Sequence, residues 1–234
     1  MKFVKFGAVT LVTLVIVAGI AIPTSSQPTS LFQFPVIPGL EEKARNIFFH
    51  VPTAWTTVVA FLVSMYYGIQ YLRKRDIEYD IRSVSSASLG FLFCFLATVT
   101  GSVWAKFNWG SFWNWDPRET SIFVLLLIYG AYFALRSSLE VEETRAKLSA
   151  VYSIIAGLTV PFFIFVLPRM MGGLHPGSKG DPQGSGPVVS FTMSGNMLFI
   201  FFMSLLGFNL LYVWMLNVRV RLAKIEYQQS IEQA

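Results

Sequence analysis

Residues 47–72 read IFFHVPTAWTTVVAFLVSMYYGIQYL and contain no Asp, Glu, Lys or Arg. An uncharged run of this length can cross the roughly 30 Å hydrocarbon core of a bilayer as one helix. Working outward from it in both directions, apolar runs of spanning length occur at residues 6–23, 47–72, 84–105, 118–136, 148–167 and 191–217. The chain is therefore predicted to be an all-α integral membrane protein, a single transmembrane domain over residues 1–234 that forms a bundle of six helices.

The composition agrees with a membrane protein. Of 234 residues, 54% are hydrophobic and only 13% are charged, whereas soluble domains average about 25% charged residues. The net charge of +5 does not indicate a nucleic-acid partner, because basic residues beside spanning helices are explained by topology and by attraction to anionic lipid. Cys94 is the only cysteine, so the chain has neither an internal disulfide nor a CxxC pair.

The distribution of basic residues predicts the orientation. If all six runs span, twelve of the 18 lysines and arginines fall on the side of the two termini. Such an excess in short loops marks the cytoplasmic side, so we expect both termini in the cytoplasm and segments 24–46, 104–117 and 168–190 outside. The last segment is rich in glycine and proline and is therefore predicted to be an irregular loop. Residues 6–23 could instead be the core of a cleaved signal peptide, because basic residues precede them, and the other helices would keep their orientation.

The second external segment, between helices 3 and 4, concentrates tryptophan. Residues 109–120 read WGSFWNWDPRET, and with Trp104 they contain four of the six tryptophans. One or two would be explained by the preference of amphipathic rings for the membrane interface. A helix face with i, i+3, i+4, i+7 spacing is formed by Trp109, Phe112, Trp113 and Asp116, so a short helix here would present a broad aromatic surface. Such a surface indicates a flat ligand or a partner.

The residues after the tryptophans predict the start of the fourth helix. Asp116, Pro117 and Glu119 fit the N-cap, N1 and N3 positions of a capping box. Asp116 is therefore expected to hold the tryptophan segment at a fixed angle. Arg118 is better placed to meet a carboxylate of a ligand.

The chain has only two histidines, His50 and His175, and both are predicted to be external. Pro52 disfavours regular helix at Val51 and is expected to free backbone near the His50 ring. Each histidine alone is explained as an interfacial polar residue, but two on different segments can bind a haem iron from opposite faces. The two alone cannot complete a tetrahedral zinc site, and no HExxH motif is present.

These residues resemble the haem-handling family of cytochrome c maturation proteins, whose members share an external WGxxWxWDxRxT segment flanked by histidines. Arg45 and the sequence His50-Val51-Pro52 look like the CcmC branch, whereas Pro117 and Glu119 are similar to the larger CcsA synthase-type relatives. The resemblance covers about residues 40–220. It implies that the tryptophan segment is a platform for haem and that the two histidines are axial iron ligands. The predicted haem-binding residues are His50, His175, Trp104, Trp109, Trp113, Trp115, Asp116 and Arg118.

The resemblance also implies a function. The protein would bind haem b as a transported ligand at the periplasmic face of a bacterial inner membrane and deliver it to a periplasmic haem chaperone (CcmE-like). Its partners would be an ABC-type ATPase (CcmA-like) and a second membrane subunit (CcmB-like). Since the chain shows no nucleophile–base set, we expect a handling subunit and not an enzyme.

Two alternatives remain open. The protein could be a subunit of a cytochrome c synthase that presents haem to apocytochrome, or a membrane scaffold whose tryptophans contact only lipid. CcsA-type relatives use additional histidines within the membrane, and this chain has none to supply them, which favours haem presentation.

Overall fold

A computed structural model describes residues 1–37, 40–175, 178, 179 and 195–233 of this protein. Six helices among these residues are long and apolar enough to cross a membrane, which confirms the predicted multi-pass α-helical bundle. In chain order the helices are α1 Lys2–Ala21, α2 Ile47–Lys74, α3 Ile77–Trp109, α4 Pro117–Ser137, α5 Glu142–Pro161, α6 Leu167–Met170 and α7 Gly195–Glu232. A π-helical turn, Phe162–Val166, joins α5 to the short α6, so that the two form one span.

Among the described residues, the remaining regular structure lies between α1 and α2. Two short strands, β1 Thr24–Ser25 and β2 Phe34–Pro35, pair in parallel, and a 3-10 helix, Glu41–Asn46, leads directly into α2. Arg45 of this 3-10 helix donates a hydrogen bond to the carbonyl of Gly19 at 2.8 Å. The segment is thereby tied to the end of α1.

α2 lies at the centre of the bundle, packed against α3, α5 and α7, and α1 packs on α7. Phe61 of α2 stacks on Tyr129 of α4, with ring centroids 3.5 Å apart. The hydroxyl of Ser86 on α3 donates to the carbonyl of Ala60 at 2.6 Å and lies 2.7 Å from the hydroxyl of Tyr212 on α7. Such bonds between helices stabilise membrane bundles because lipid offers polar groups no alternative partner.

Pro52 lies inside α2 without interrupting it, so the predicted irregularity at Val51 is wrong. Proline has no N–H, and the carbonyl of Phe48, four residues earlier, therefore loses its helical donor. The buried hydroxyl of Ser204 on α7 donates to that carbonyl. The predicted freeing of backbone near His50 is confirmed, and the neighbouring helix supplies the missing donor.

Several helices extend beyond the predicted apolar runs into charged residues. α3 begins seven residues before position 84, and its buried Asp80 forms a bidentate ion pair with Arg136 of α4. α5 begins at Glu142, where acidic residues favour the positive end of the helix dipole. α7 continues to Glu232, well past position 217. Hydropathy alone excludes such residues from a span.

The third external segment, predicted to be irregular over residues 168–190, begins inside a helix. Residues 168–170 belong to α6, where Pro168 occupies one of the first helical positions and its missing N–H costs no hydrogen bond. Residues 171, 174, 175 and 178 form bends, residue 179 lies in a turn, and residues 172 and 173 have no regular structure. The rest of this predicted loop, together with residues 191–194 at the predicted start of the last span, lies outside the described residues.

Candidate functional site

A cavity of about 490 Å³ lies at the end of the bundle where α2 begins, between α2, α3, the π-helical turn and α7. This volume is within the roughly 300–1,000 Å³ of small-molecule sites. Most of its wall is apolar. Five of the eight predicted site residues line it together: His50, His175, Trp104, Trp113 and Arg118.

His50 lies in the first turn of α2 and is held by α3. Its Nδ1 atom lies 3.1 Å from the hydroxyl oxygen of Thr100. That hydroxyl donates its own proton to the carbonyl of Leu96 at 2.8 Å, so it accepts from the Nδ1–H of His50. This tautomer leaves Nε2 unprotonated, as an imidazole needs to be when it binds a metal.

Gly101, the residue after Thr100, allows the His50 ring to lie against α3. A Cβ atom at position 101 would lie 2.8 Å from Cε1 of His50. Carbon atoms in contact are normally about 3.5–4.0 Å apart. The ring can occupy its place only because residue 101 has no side chain.

Asp116 caps α4 as predicted and also holds His175. The capping box is complete: Asp116 accepts from the N–H of Arg118 at 2.8 Å, and Glu119 reaches back to the N–H of Asp116. The same carboxylate accepts from Nδ1 of His175 at 2.7 Å and from the N–H of Leu174 at 2.6 Å. Asp116 therefore fixes the histidine segment as well as the start of α4.

Burial raises the pKa of the Asp116 carboxyl, but the hydrogen bonds from His175 and from two backbone N–H groups lower it more strongly, so that the pKa is about 2. The group is therefore ionised at neutral pH. Gly173 permits its close approach to the histidine segment, because a Cβ there would lie 2.6 Å from Oδ2 of Asp116. The Asp116–His175 bond was not predicted from the sequence, where the two residues are 59 positions apart.

The tryptophan segment does not form the predicted helix, so the proposed helical face of Trp109, Phe112, Trp113 and Asp116 is wrong. α3 ends at Trp109, and Gly110 follows with φ +83°, a left-handed conformation that glycine readily adopts at a helix C-terminus. Residues 110–116 are non-helical.

Glu119 fixes the last part of this segment. Its carboxylate accepts from the N–H of Asn114 at 2.7 Å and from the N–H of Asp116 at 3.3 Å. These two residues flank Trp115, which has the unusual φ of +56°. The capping-box glutamate thus holds a strained turn that directs the indoles away from a single helical face.

The four indoles occupy different places around the site. Trp104 and Trp113 line the cavity. Trp109 packs on the His175 ring with centroids 4.7 Å apart, and Trp104 stacks on the same ring at 6.2 Å. Trp115 is 72% exposed and meets Trp113 edge to face at 5.8 Å. The tryptophan segment therefore surrounds His175 as well as contributing to the wall.

Two arginines place positive charge at the cavity. Arg118, in the first turn of α4, was predicted, whereas Arg169 of α6 was not, although both line the cavity. Their guanidinium groups are close enough for their charges to act on each other. Arg169 also donates to the carbonyl of Phe165. Its sequence position next to Pro168, before a glycine-rich stretch, gives no signal for a binding role.

The π-helical turn supplies an aromatic part of the wall that the sequence did not reveal. Phe163, Ile164 and Phe165 of this turn line the cavity, and Phe165 contacts Trp55 of α2 at 5.2 Å between ring centroids. π-Helical turns are rare and occur frequently at functional sites. The turn begins directly after Pro161, which interrupts the regular bonding of α5.

The family model described as Heme exporter protein C matches residues 1–234 of this chain. Heme exporter protein C of Rhodobacter capsulatus is 26% identical over 190 residues, which are 81% of this chain and 76% of the relative. Heme exporter protein C of Paracoccus denitrificans is 26% identical over 180 residues, 76% of this chain and 71% of the relative.

Cytochrome c biogenesis protein CcsA of Phaseolus vulgaris is also similar, with 35% identity over 111 residues, 47% of this chain and 31% of that protein. Similarity to both groups confirms the predicted resemblance to a CcmC-type protein with a partly CcsA-like motif.

Proposed function

Since the chain belongs to the Heme exporter protein C family, we propose that it binds haem in the cavity at the start of α2 and delivers it for cytochrome c biogenesis. The observation that carries this proposal is the position of His50 and His175 in the wall of one cavity. Nδ1 of each ring lies within hydrogen-bond distance of a neighbouring side-chain oxygen. Two imidazoles so held, with Nε2 left for iron, fit the axial ligands of a haem.

The remaining site residues fit the rest of a porphyrin. Trp104, Trp113 and the aromatic π-helical turn offer flat apolar surfaces to the macrocycle. Arg118 and Arg169 offer guanidinium groups to its two propionates. Trp109 and Trp115 support this site indirectly, Trp109 by packing on His175 and Trp115 by meeting Trp113.

The delivery step is part of the same proposal. Haem b is handed from the periplasmic face of a bacterial inner membrane to a periplasmic CcmE-like chaperone. CcmA-like ATPase and CcmB-like membrane subunits form an ABC-type complex with this chain. The excess of basic residues on the side of the two termini supports a cytoplasmic location for both termini and a periplasmic location for the cavity. The protein carries haem without transforming it.

An absorption spectrum of the purified membrane protein tests the proposal. We expect a Soret band and the low-spin bands of bis-histidine haem, and both change when either His50 or His175 is replaced by Ala. Trp55→Phe keeps an aromatic ring beside Phe165 and serves as a control within the same wall. A protein that takes up no haem in either oxidation state would support the lipid-contacting scaffold instead.

A second candidate is a synthase subunit that presents haem directly to apocytochrome, and the similarity to CcsA favours it. Haem-loaded protein can be mixed with either a CcmE-like chaperone or an apocytochrome bearing CxxCH. Transfer to the chaperone supports delivery, whereas thioether formation on the apocytochrome without a chaperone supports the synthase.

A further inference from the structure

The two cavity histidines differ in the groups that hold them. His175 contacts the carboxylate of Asp116 at 2.7 Å, whereas His50 contacts the neutral hydroxyl of Thr100 at 3.1 Å. A hydrogen bond to an ionised acceptor is roughly twice as strong as one between neutral groups. A carboxylate partner also increases the basicity of the ring and therefore its strength as a metal ligand.

Asp116 is fixed as an acceptor for His175. Its side chain is fully buried. One oxygen accepts from the N–H of Arg118 in addition to the ring, and the other accepts from the N–H of Leu174 and, at 3.3 Å, from that of His175. The carboxylate is thus held from α4 and from the histidine segment at the same time. It keeps its negative charge beside the imidazole.

Thr100 cannot act on His50 in the same way. Its hydroxyl proton is directed to the carbonyl of Leu96, within α3. The oxygen therefore offers His50 only a neutral lone pair. The Nδ1–H of His50 is oriented by this contact, but the ring gains no anionic character from it.

From this difference we infer that His175 is the tightly bound iron ligand and His50 the exchangeable one, so that haem delivery begins with displacement of His50. The inference rests on the proposed haem site. In the exchange, the bond between iron and Nε2 of His50 breaks and a bond from iron to a ligand atom of the acceptor forms. No electron is transferred, and His50 keeps its Nδ1 proton. Asp116 and Thr100 are positioning residues that set the order of ligand loss.

The first test compares His50→Ala with His175→Ala in purified protein titrated with haem. His50→Ala should retain haem as a five-coordinate high-spin complex on His175, and added imidazole should restore the low-spin spectrum. His175→Ala should bind haem about 10- to 100-fold more weakly than His50→Ala. This is the range by which a metal site loses affinity when a ligand lacks its hydrogen-bonding partner, as His50 lacks a carboxylate. Equal losses, or a larger loss for His50→Ala, would overturn the inference.

The second test identifies the cause. Asp116→Asn keeps a side chain suited to an N-cap but removes the charge, and it should weaken haem binding and raise the midpoint potential of the bound haem. Asp76→Asn is the matched control, because Asp76 caps α3 through the N–H of Glu78 and contacts no histidine. When Asp116→Asn is combined with each histidine variant, the difference in haem affinity between His50→Ala and His175→Ala should also become smaller. If that difference persists, Asp116 is not its cause and the inference fails.

A third test uses Thr100→Val, which changes the partner of His50 and leaves Asp116 intact. This substitution should make displacement of His50 by imidazole easier while leaving His175 bound. Thr159→Val, which removes a similar hydroxyl bonded to the carbonyl of Ala156 within α5, is its control. Failure of the wild-type protein to bind any haem would refute the proposed function, whereas haem binding with equivalent histidines would refute only this inference.

Discussion

Replacing Gly101 with Ala should remove His50 from the iron without removing haem from the protein. The added Cβ would lie 2.8 Å from Cε1 of His50, and ordinary carbon contacts begin at about 3.5 Å. The ring must therefore move by roughly 0.7 Å. Metal–ligand distances vary by only about 0.2 Å, so a shift of this size breaks the bond from His50 or strains it severely.

The ring cannot easily relieve the clash because Thr100 holds its Nδ1 from the same helix. Crowding of this kind costs about 1–3 kcal/mol in a packed interior, which a stable bundle tolerates. Haem-loaded Gly101→Ala should resemble His50→Ala, with a five-coordinate high-spin spectrum that imidazole converts to low spin. Retention of the wild-type low-spin spectrum would refute the reasoning about this contact.

Gly130→Ala is the matched control for that experiment. No described atom outside its local backbone lies within 4 Å of the Cβ built at position 130 of α4. Alanine is also the better helix former, by as much as about 1 kcal/mol. This variant should therefore keep both the spectrum and the thermal stability of the parent protein.

Three further predictions follow from the packing and the cavity wall. Ser204→Ala leaves the carbonyl of Phe48, freed by Pro52, without its donor, which should lower the stability by about 1–3 kcal/mol. Thermal unfolding in detergent should show this loss of stability, and adding Pro52→Ala, which restores an N–H, should recover most of it. Arg169→Gln should weaken binding of haem but not of haem dimethyl ester, measured by titration, and an equal effect on both would exclude a contact with propionate. Trp113→Ala should lower the amount of haem retained after purification more than Trp214→Ala does, because only the former lines the cavity; equal effects would indicate that the indoles serve as interface anchors.

The fold was predictable because its signal is local. An uncharged run such as residues 47–72 leaves a chain in lipid almost no alternative to a helix, since every backbone group must be satisfied within the segment. The helix ends were less predictable, because the buried Asp80 depends on Arg136, 56 residues away. The start of α4 was predictable to the residue, since a capping box is a contact among neighbours in sequence.

The sequence by itself determined the six spans, the cap at Asp116 and the presence of only two histidines. It did not determine the shape of the tryptophan segment, because Gly110 ends α3 and Glu119 then holds a turn at Trp115 that periodicity cannot reveal. Only the tertiary structure brought Arg169 into the cavity and Asp116 to His175. Spacing along the chain reports which residues share a helix face, but contacts between distant segments are set by how the helices pack. The contacts of His175 with a carboxylate and of His50 with a hydroxyl are of that kind.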